Sequence, residues 1–367
     1  FTDLPAVVLG AGPSLKDFIS VCKEKKLEER TLIIACDAAL PKLLEANIKP
    51  HIVTRCERKF TKIFHTITKE QTKGIFYAAY PWCSPEYFDL FEESFMMFRS
   101  NGICKFIEPY DAGNVNGGVS SGNAALELAL MLKCPQIYLS GIDLCFMDGK
   151  SHIEGTEVEF DVEKSRSKWI EIENNEGKKV TTIPVWTRCV HEYAGAIVKH
   201  DAHKRILNTS TKGVKISGVA VKSWDDINIE PIDFDIDKKI RKHLAKHPPK
   251  YEDTYLEEKG KAIVYLKKAK HDLEKLFLNL DDLFMIGRRE EDKALSQFKV
   301  TMDAKDFGFQ SSSLLKNFSN MYQEPCRLLD QYKQTYFTNE LFSLVLLDTC
   351  QHSLFINENK CASLKNI

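Results

Sequence analysis

Short, mostly apolar runs alternate with longer stretches of helical periodicity through the first two-thirds of the chain. The runs at 7–9 (VVL), 31–35 (TLIIA), 51–54 (HIVT), 74–78 (GIFYA), 104–107 (CKFI) and 136–139 (QIYL) lack a strict polar alternation. Strands covered on both faces of a parallel sheet read this way. Stretches at 14–25, 39–46 and 123–132 place apolar residues at helical spacing between them. The alternation predicts a doubly wound, Rossmann-like α/β domain over residues 1–232, with its ligand crevice at the carboxyl ends of the strands.

A polar excursion at 146–182 follows the last of these runs, with a turn at Asn174, Asn175, Glu176 and Gly177. Loops this long are commonly lids or binding loops. A helix at 186–203 and short β runs at 205–207 and 214–216 are expected to close the domain. From about Asp233 the pattern is helical only: Ile263, Leu266, Leu273, Phe277, Leu280 and Phe284 keep a near-heptad spacing, and 340–356 is a strongly apolar helix. This predicts a helical domain over 233–367, interrupted at His247-Pro248-Pro249.

With 367 residues, 43% apolar and 28% charged, the chain can bury one large core or two smaller ones. Lys plus Arg (51) balances Asp plus Glu (52), so no global field favours nucleic acid or an anionic membrane, and neither is an expected partner. The 11 cysteines lack C-x-x-C or Cys/His pairing, which argues against a disulfide framework or zinc site and for a reducing cytoplasm. No apolar run approaches the roughly 18 residues of a membrane helix, and the N-terminus lacks a signal-peptide layout. Because the chain begins with Phe1, a preceding N-terminal portion is expected.

Candidate chemistry sits where strands should end. In VVLGAGPSL the first strand breaks at Gly10-x-Gly12, Pro13 presets the first helical turn, and Ser14 adds a hydroxyl donor. This is either a plain tight turn or an anion-binding one. Leu15 stands where a dinucleotide fingerprint has its third glycine, which disfavours NAD. In DAGNVNGGVSSGN, Gly117 and Gly122 match Walker A spacing, but Asn123 and Ala124 replace its Lys and Ser/Thr, so ATP hydrolysis is not expected. Ser120, Ser121 and Gly122 can still offer hydroxyls and amides to a phosphate, or simply cap a helix.

Asp37, Glu57 and Asp143 follow three apolar runs. One such carboxylate is readily a helix cap; three favour a polar site for sugar or ribose hydroxyls. His152, in Asp148-Gly149-Lys150-Ser151-His152, is a solvated loop histidine or a catalytic one, and His191 reads as structural. The D-x-D at Asp233-Phe234-Asp235 is better explained as helix-start capping than as a metal motif, and the basic run 238–250 as a solvated face.

The segment VSSGNAALELALMLKCPQIYLSGIDL, with GAGPSL upstream, resembles the bacterial sialyltransferases that use CMP-activated sialic acid. DLCFMDGKSHIEGT, then VTT before a helix, then NTSTKGVKISGV, is similar to the motility accessory factor family of flagellin glycosyltransferases. The resemblance spans roughly residues 5–223. It implies an inverting glycosyltransferase with a sialyltransferase-like fold, which moves a nonulosonic acid (pseudaminic, legionaminic or related) from a CMP-activated donor to Ser/Thr of flagellin. No tightly bound cofactor and no metal is implied.

By the same resemblance, Gly10, Gly12, Pro13 and Ser14, with Ser120, Ser121 and Gly122, surround the cytidine monophosphate. Asp37 and Glu57 face the ribose or sugar, and Asp143 stands at the crevice floor. The sialyltransferase base is a histidine shortly before the helix that follows the long loop, where this chain has Val180-Thr181-Thr182. His152 is therefore the first candidate base and Asp143 the second. Two rivals are a 6-hydroxymethylpterin diphosphokinase, which the Gly-x-Gly-Pro-Ser-Leu loop also fits, and a non-catalytic flagellin-binding or chaperone module.

Overall fold

Among the described residues eight parallel strands form the central sheet: β1 (Ala6–Leu9), β2 (Leu32–Cys36), β3 (Ile52–Arg55), β4 (Phe76–Ala79), β5 (Glu93–Met96), β6 (Ile137–Ser140), β9 (Ile206–Asn208) and β10 (Ala220–Val221). Their order is β10-β9-β6-β1-β2-β3-β4-β5. A separate antiparallel hairpin pairs β7 (Ile170–Glu173) with β8 (Lys179–Thr182). The structure is a computed structural model and describes residues 1–57, 62–80, 83–98, 115–156 and 169–246.

The sheet is covered on both faces. Val7, Leu9, Ile33, Ala35 and Tyr138 pack on one side against Leu15, Phe18 and Cys22 of α1 (Leu15–Cys22), Leu43 of α2 (Leu40–Glu45) and Trp224. Across β1, β2 and β3 lies α3 (Ser121–Met131), beside α4 (Pro184–Lys199). Every residue of α3 from Ser121 to Leu130 is buried, which explains why its sequence is apolar around the whole circumference rather than along one stripe. Its one acidic residue, Glu127, pairs where α4 ends with Lys199 Nζ at 2.5 Å and hydrogen-bonds His200 Nε2 at 3.2 Å.

The apolar runs at 7–9, 31–35, 51–54, 74–78 and 136–139 become β1, β2, β3, β4 and β6. The run at 104–107 lies outside the described residues. Strand β5 has no run in the sequence reading because it lies beyond β4, where its side chains are only partly covered. The 146–182 excursion is not loop throughout: β7 and β8 occupy its second half, around a turn in which Asn174 Oδ1 accepts from the Glu176 (3.0 Å) and Lys178 (2.8 Å) amides. The stretch at 214–216 is not a strand. Val214 gives its N–H to the Asp143 carbonyl (2.8 Å) and forms only an isolated bridge with Asn174; the closing strand is β10.

After Asp233 the chain enters α5 (Ile236–Lys246), which buries Ile236 and Ile240. Asp235 Oδ1 caps it by accepting from the Lys238 amide (2.9 Å), as helix-start capping requires. Lys239 pairs with Asp3 and Arg241 with Glu93. All described residues, α5 included, belong to one structural unit; the heptad residues and the 340–356 stretch lie outside them. Among the described residues no helix is long and apolar enough to cross a membrane. Their cysteines are free thiols, and burial pushes Cys22, Cys36, Cys134 and Cys145 up to about 12, so these are packing residues.

His51, at the entry to β3, accepts the Ile33 amide on Nδ1 (3.0 Å), and burial pushes its pKa down to about 4. An unfolded imidazole binds its proton below about 6.5. Between these limits the unfolded chain holds more protons, so stability falls as pH drops from 6.5 to 4, by at most about 3 kcal/mol from this residue. Urea unfolding across that range is expected to show the decline, and His51→Gln to flatten it.

Candidate functional site

Strands β1 to β5 wind outward in one direction, after which β6 returns to the other side of β1. Ligands of doubly wound sheets collect at this reversal, beyond the carboxyl ends of the strands. Here the turns after β1 and β6 press together. The Gly10 amide donates to the Ser140 carbonyl (2.9 Å) and the Gly12 amide to the Gly141 carbonyl (2.8 Å). A Cβ on Gly10 would lie 2.4 Å from the Gly141 oxygen, and one on Gly12 2.3 Å from Asp143 Oδ2. The two glycines are thus required by the approach of the turns to each other.

Asp143 closes this junction. Its carboxylate accepts the Ser14 amide on Oδ2 (2.8 Å) and the Ser14 hydroxyl on Oδ1 (2.5 Å), and Ser14 Oγ meets Ser210 Oγ at 2.7 Å. Ser14 is the N-cap of α1 yet makes no cap bond with its own side chain; the Asp143 carboxylate occupies that end of the helix instead. Burial raises the Asp143 pKa, and the bonds from Ser14 and Ser210 work against that rise.

A second acidic centre lies at β2 and β3. Asp37 begins the turn after β2, accepts the Ala38 amide (3.0 Å) and pairs with Arg55 Nη1 at 2.5 Å. The Arg55 side chain is fully buried, with its guanidinium 4.5 Å from the centroid of Tyr87 and 5.8 Å from that of Phe64. The sequence reading found Asp37 but missed Arg55, whose signal was a single cation ending the apolar run IVTR. Glu57 lies two residues farther on and is exposed.

At the start of α3, Ser120 Oγ accepts the Asn123 amide (3.1 Å), while Ser121 Oγ accepts the Cys56 amide (3.1 Å). Thr54 Oγ1 donates to the Ser121 carbonyl (2.8 Å), so α3 is tied to the end of β3. A Cβ on Gly122 would fall 2.6 Å from the Tyr193 hydroxyl of α4. Asn123, which stands where a Walker lysine would, turns away to bond the Cys189 carbonyl (3.1 Å).

His152 lies beside the first turn. The next residue, Ile153, donates its amide to the Ala11 carbonyl (2.8 Å) and packs against the core that covers β1. The His152 ring is 6.3 Å from Trp186, its Nδ1 is 2.9 Å from Ser151 Oγ, and burial lowers its pKa. Phe146 continues the aromatic wall, 5.0 Å from Trp186 and 5.1 Å from Trp169. Of Val180-Thr181-Thr182, where the resemblance would put the sialyltransferase histidine, Thr182 is buried and donates to the Leu144 carbonyl (2.6 Å). His191 is exposed on α4. Gly10, Gly12, Ser14 and Asp143 thus form one cluster, to which Ile153 ties His152; Asp37 and Ser121 join a second around Arg55 and Cys56.

Residues 1–149 match the family described as 6-hydroxymethylpterin diphosphokinase MptE-like. Among curated protein sequences none matches the chain. Among solved structures, the chain shares its fold with the MAf glycosyltransferase from Magnetospirillum magneticum AMB-1, at 22% identity and a TM-score of 0.54. The likeness covers 66% of this chain and 37% of that one, so this chain spans well under half of the larger protein. The Rossmann-like α/β class read from the sequence is borne out, and the fold is one shared with the MAf glycosyltransferase, the kind of protein the sequence resembles.

The Asp37–Arg55 pair is a stability determinant in its own right, because removing one partner strands a buried charge. Arg55→Met or Asp37→Leu alone is expected to cost about 3–5 kcal/mol, whereas the double replacement recovers most of that loss. Denaturant unfolding of the two single variants and the double one checks this.

Proposed function

We propose that the chain is an inverting glycosyltransferase that moves a nonulosonic acid from a CMP-activated donor to Ser/Thr hydroxyls of flagellin in the cytoplasm. The observation that carries the reading is the fold shared with the MAf glycosyltransferase, with the GAGPS turn after β1 meeting the turn after β6 at the strand-order reversal. In this scheme Gly10, Gly12, Pro13 and Ser14 border the nucleotide on one side, and Ser120, Ser121 and Gly122 on the other. Asp37, through its pairing with Arg55, shapes the wall toward the ribose or sugar, and Glu57 offers its carboxylate there. The CMP-sugar is a substrate, and the scheme needs no tightly bound cofactor.

The chemistry suits such a site. The bond from the anomeric carbon to the phosphate oxygen breaks as the acceptor oxygen bonds the opposite face of that carbon. CMP leaves with the electron pair, and donors aimed at its phosphate lower the barrier. His152 is the proposed base that takes the acceptor proton: its depressed pKa keeps the imidazole neutral near pH 7. Asp143, the other candidate base, has both carboxylate oxygens engaged by Ser14 and suits a positioning role better.

The 6-hydroxymethylpterin diphosphokinase reading is favoured by the family match over residues 1–149. Calorimetric titration separates the two readings: metal-independent binding of CMP supports the transferase, and magnesium-dependent binding of ATP without CMP supports the kinase. A flagellin-binding module without catalysis would bind flagellin and release no CMP. His152→Ala is expected to slow transfer by about 100-fold or more while CMP affinity stays within about twofold. The acid limb of kcat/KM is expected below the ordinary imidazole value of 6.5, because the base must be neutral and burial holds its pKa down. A wild-type rate in the variant removes His152 from the mechanism.

A further inference from the structure

Ser14 begins α1, where its hydroxyl and amide are expected to meet a phosphate, yet both hydrogens it can offer are already spent. The amide and the hydroxyl go to the two oxygens of Asp143, at 2.8 and 2.5 Å. A hydroxyl has one proton to give. With that proton committed to the carboxylate, Ser14 Oγ is the acceptor in its 2.7 Å contact with Ser210 Oγ, so the Ser210 proton is spent as well.

The group is also sealed. Asp143 is 1% exposed, Ser14 4% and Ser210 0%. The surrounding backbone is cut to fit the carboxylate: a Cβ on Gly12 would overlap Asp143 Oδ2 at 2.3 Å, and one on Gly213 would come within 3.0 Å of the Asp143 Cα. The loop that carries Ser210 is held from both sides, by the Val214 amide on the Asp143 carbonyl (2.8 Å) and by Asn175 Nδ2 on the Ser210 carbonyl (2.7 Å). The partial positive charge at the start of α1 therefore already faces a carboxylate, and a second anion there would meet like charge with no Ser14 proton left to bind it.

We propose that Asp143, Ser14 and Ser210 form a closed latch joining the ends of β1, β6 and β9, in which the Asp143 carboxylate takes the place of the ligand anion at the start of α1. The inference rests on the CMP-sugar reading and sharpens it. The GAGPS turn shapes and orients the nucleoside side of the site, and the donor phosphate is held by other groups. Asp143 and Ser14 are positioning residues, and no proton of the reaction passes through them.

Two measurements on the full chain test this. The first needs no nucleotide: urea unfolding of Ser14→Ala, Asp143→Asn and the double variant. A latch makes the losses non-additive, the double variant unfolding at nearly the same urea concentration as the weaker single one. Additive losses overturn it. Should Asp143→Asn fail to fold, Ser14→Ala with Ser210→Ala gives an equivalent cycle. The second compares the affinities of CMP and cytidine, whose ratio isolates the phosphate. In Ser14→Ala both affinities are expected to weaken in step, the ratio staying within about twofold of wild type, and Ser14→Thr to restore them. A loss of tenfold or more for CMP, with cytidine binding unchanged, would mean that the Ser14 hydroxyl serves the phosphate, and overturns the proposal. A wild-type chain that binds neither compound defeats the CMP-sugar reading, while the unfolding cycle still decides the latch.

Discussion

At the junction of β1 and β6 two turns approach closely enough that backbone meets backbone. A Cβ on Gly10 would sit 2.4 Å from the Gly141 oxygen, and one on Gly141 would sit 2.3 Å from the Gly10 oxygen. Only glycines pass each other at that distance. The rest of the site hangs on this contact. It joins the ends of the paired strands β1 and β6 and brings Asp143 to Ser14, the N-cap of α1.

The crest of the sheet carries two buried carboxylates, handled by different means. Asp37 is neutralised by a cation, Arg55, under a roof of aromatic rings. Asp143 pairs with no cation among the described residues and is held by the amide and hydroxyl of Ser14 at a helix start, with Ser210 behind that hydroxyl. Burying an ionised group is costly unless each lone pair finds a donor, and both solutions draw their donors from strand ends far apart in the chain. The same need appears at Glu127, where a fully buried α3 requires Lys199 and His200. The polar interior therefore clamps the layers together, while Ser120, Cys56 and His152 are left half-exposed.

That division bears on function. On the proposed transferase reading, a donor with a good leaving group needs a held phosphate, a sheltered anomeric carbon and a neutral base, and less of a charged catalytic pair. His152 lies beside Trp186 and Phe146, on a loop fastened by Ile153 to the same turn that the latch secures. Its loop belongs to the segment from Phe146 to Thr182, so the polar excursion contributes both an aromatic wall and a hairpin stem.

The sequence by itself determined the class of fold and the turns at the ends of its strands. Strands buried on both faces must be apolar, helices between them must be periodic, and turns at close approaches must be glycine, so β1, β2, β3, β4 and β6 and the turns at Gly10, Gly12, Ser120 and Gly122 were all legible. Strand β5, Arg55 and the true place of the last strand were not. A partly covered strand carries little apolar signal, a buried arginine looks like any arginine until its partner is known, and the Val214 amide is claimed by the carbonyl of Asp143, far away in sequence. The tertiary structure alone decided which donors are spent. Ser14 looks free in the sequence because the carboxylate and hydroxyl that bind it, Asp143 and Ser210, are 129 and 196 residues distant, and only the folding of the sheet brings them within hydrogen-bond range.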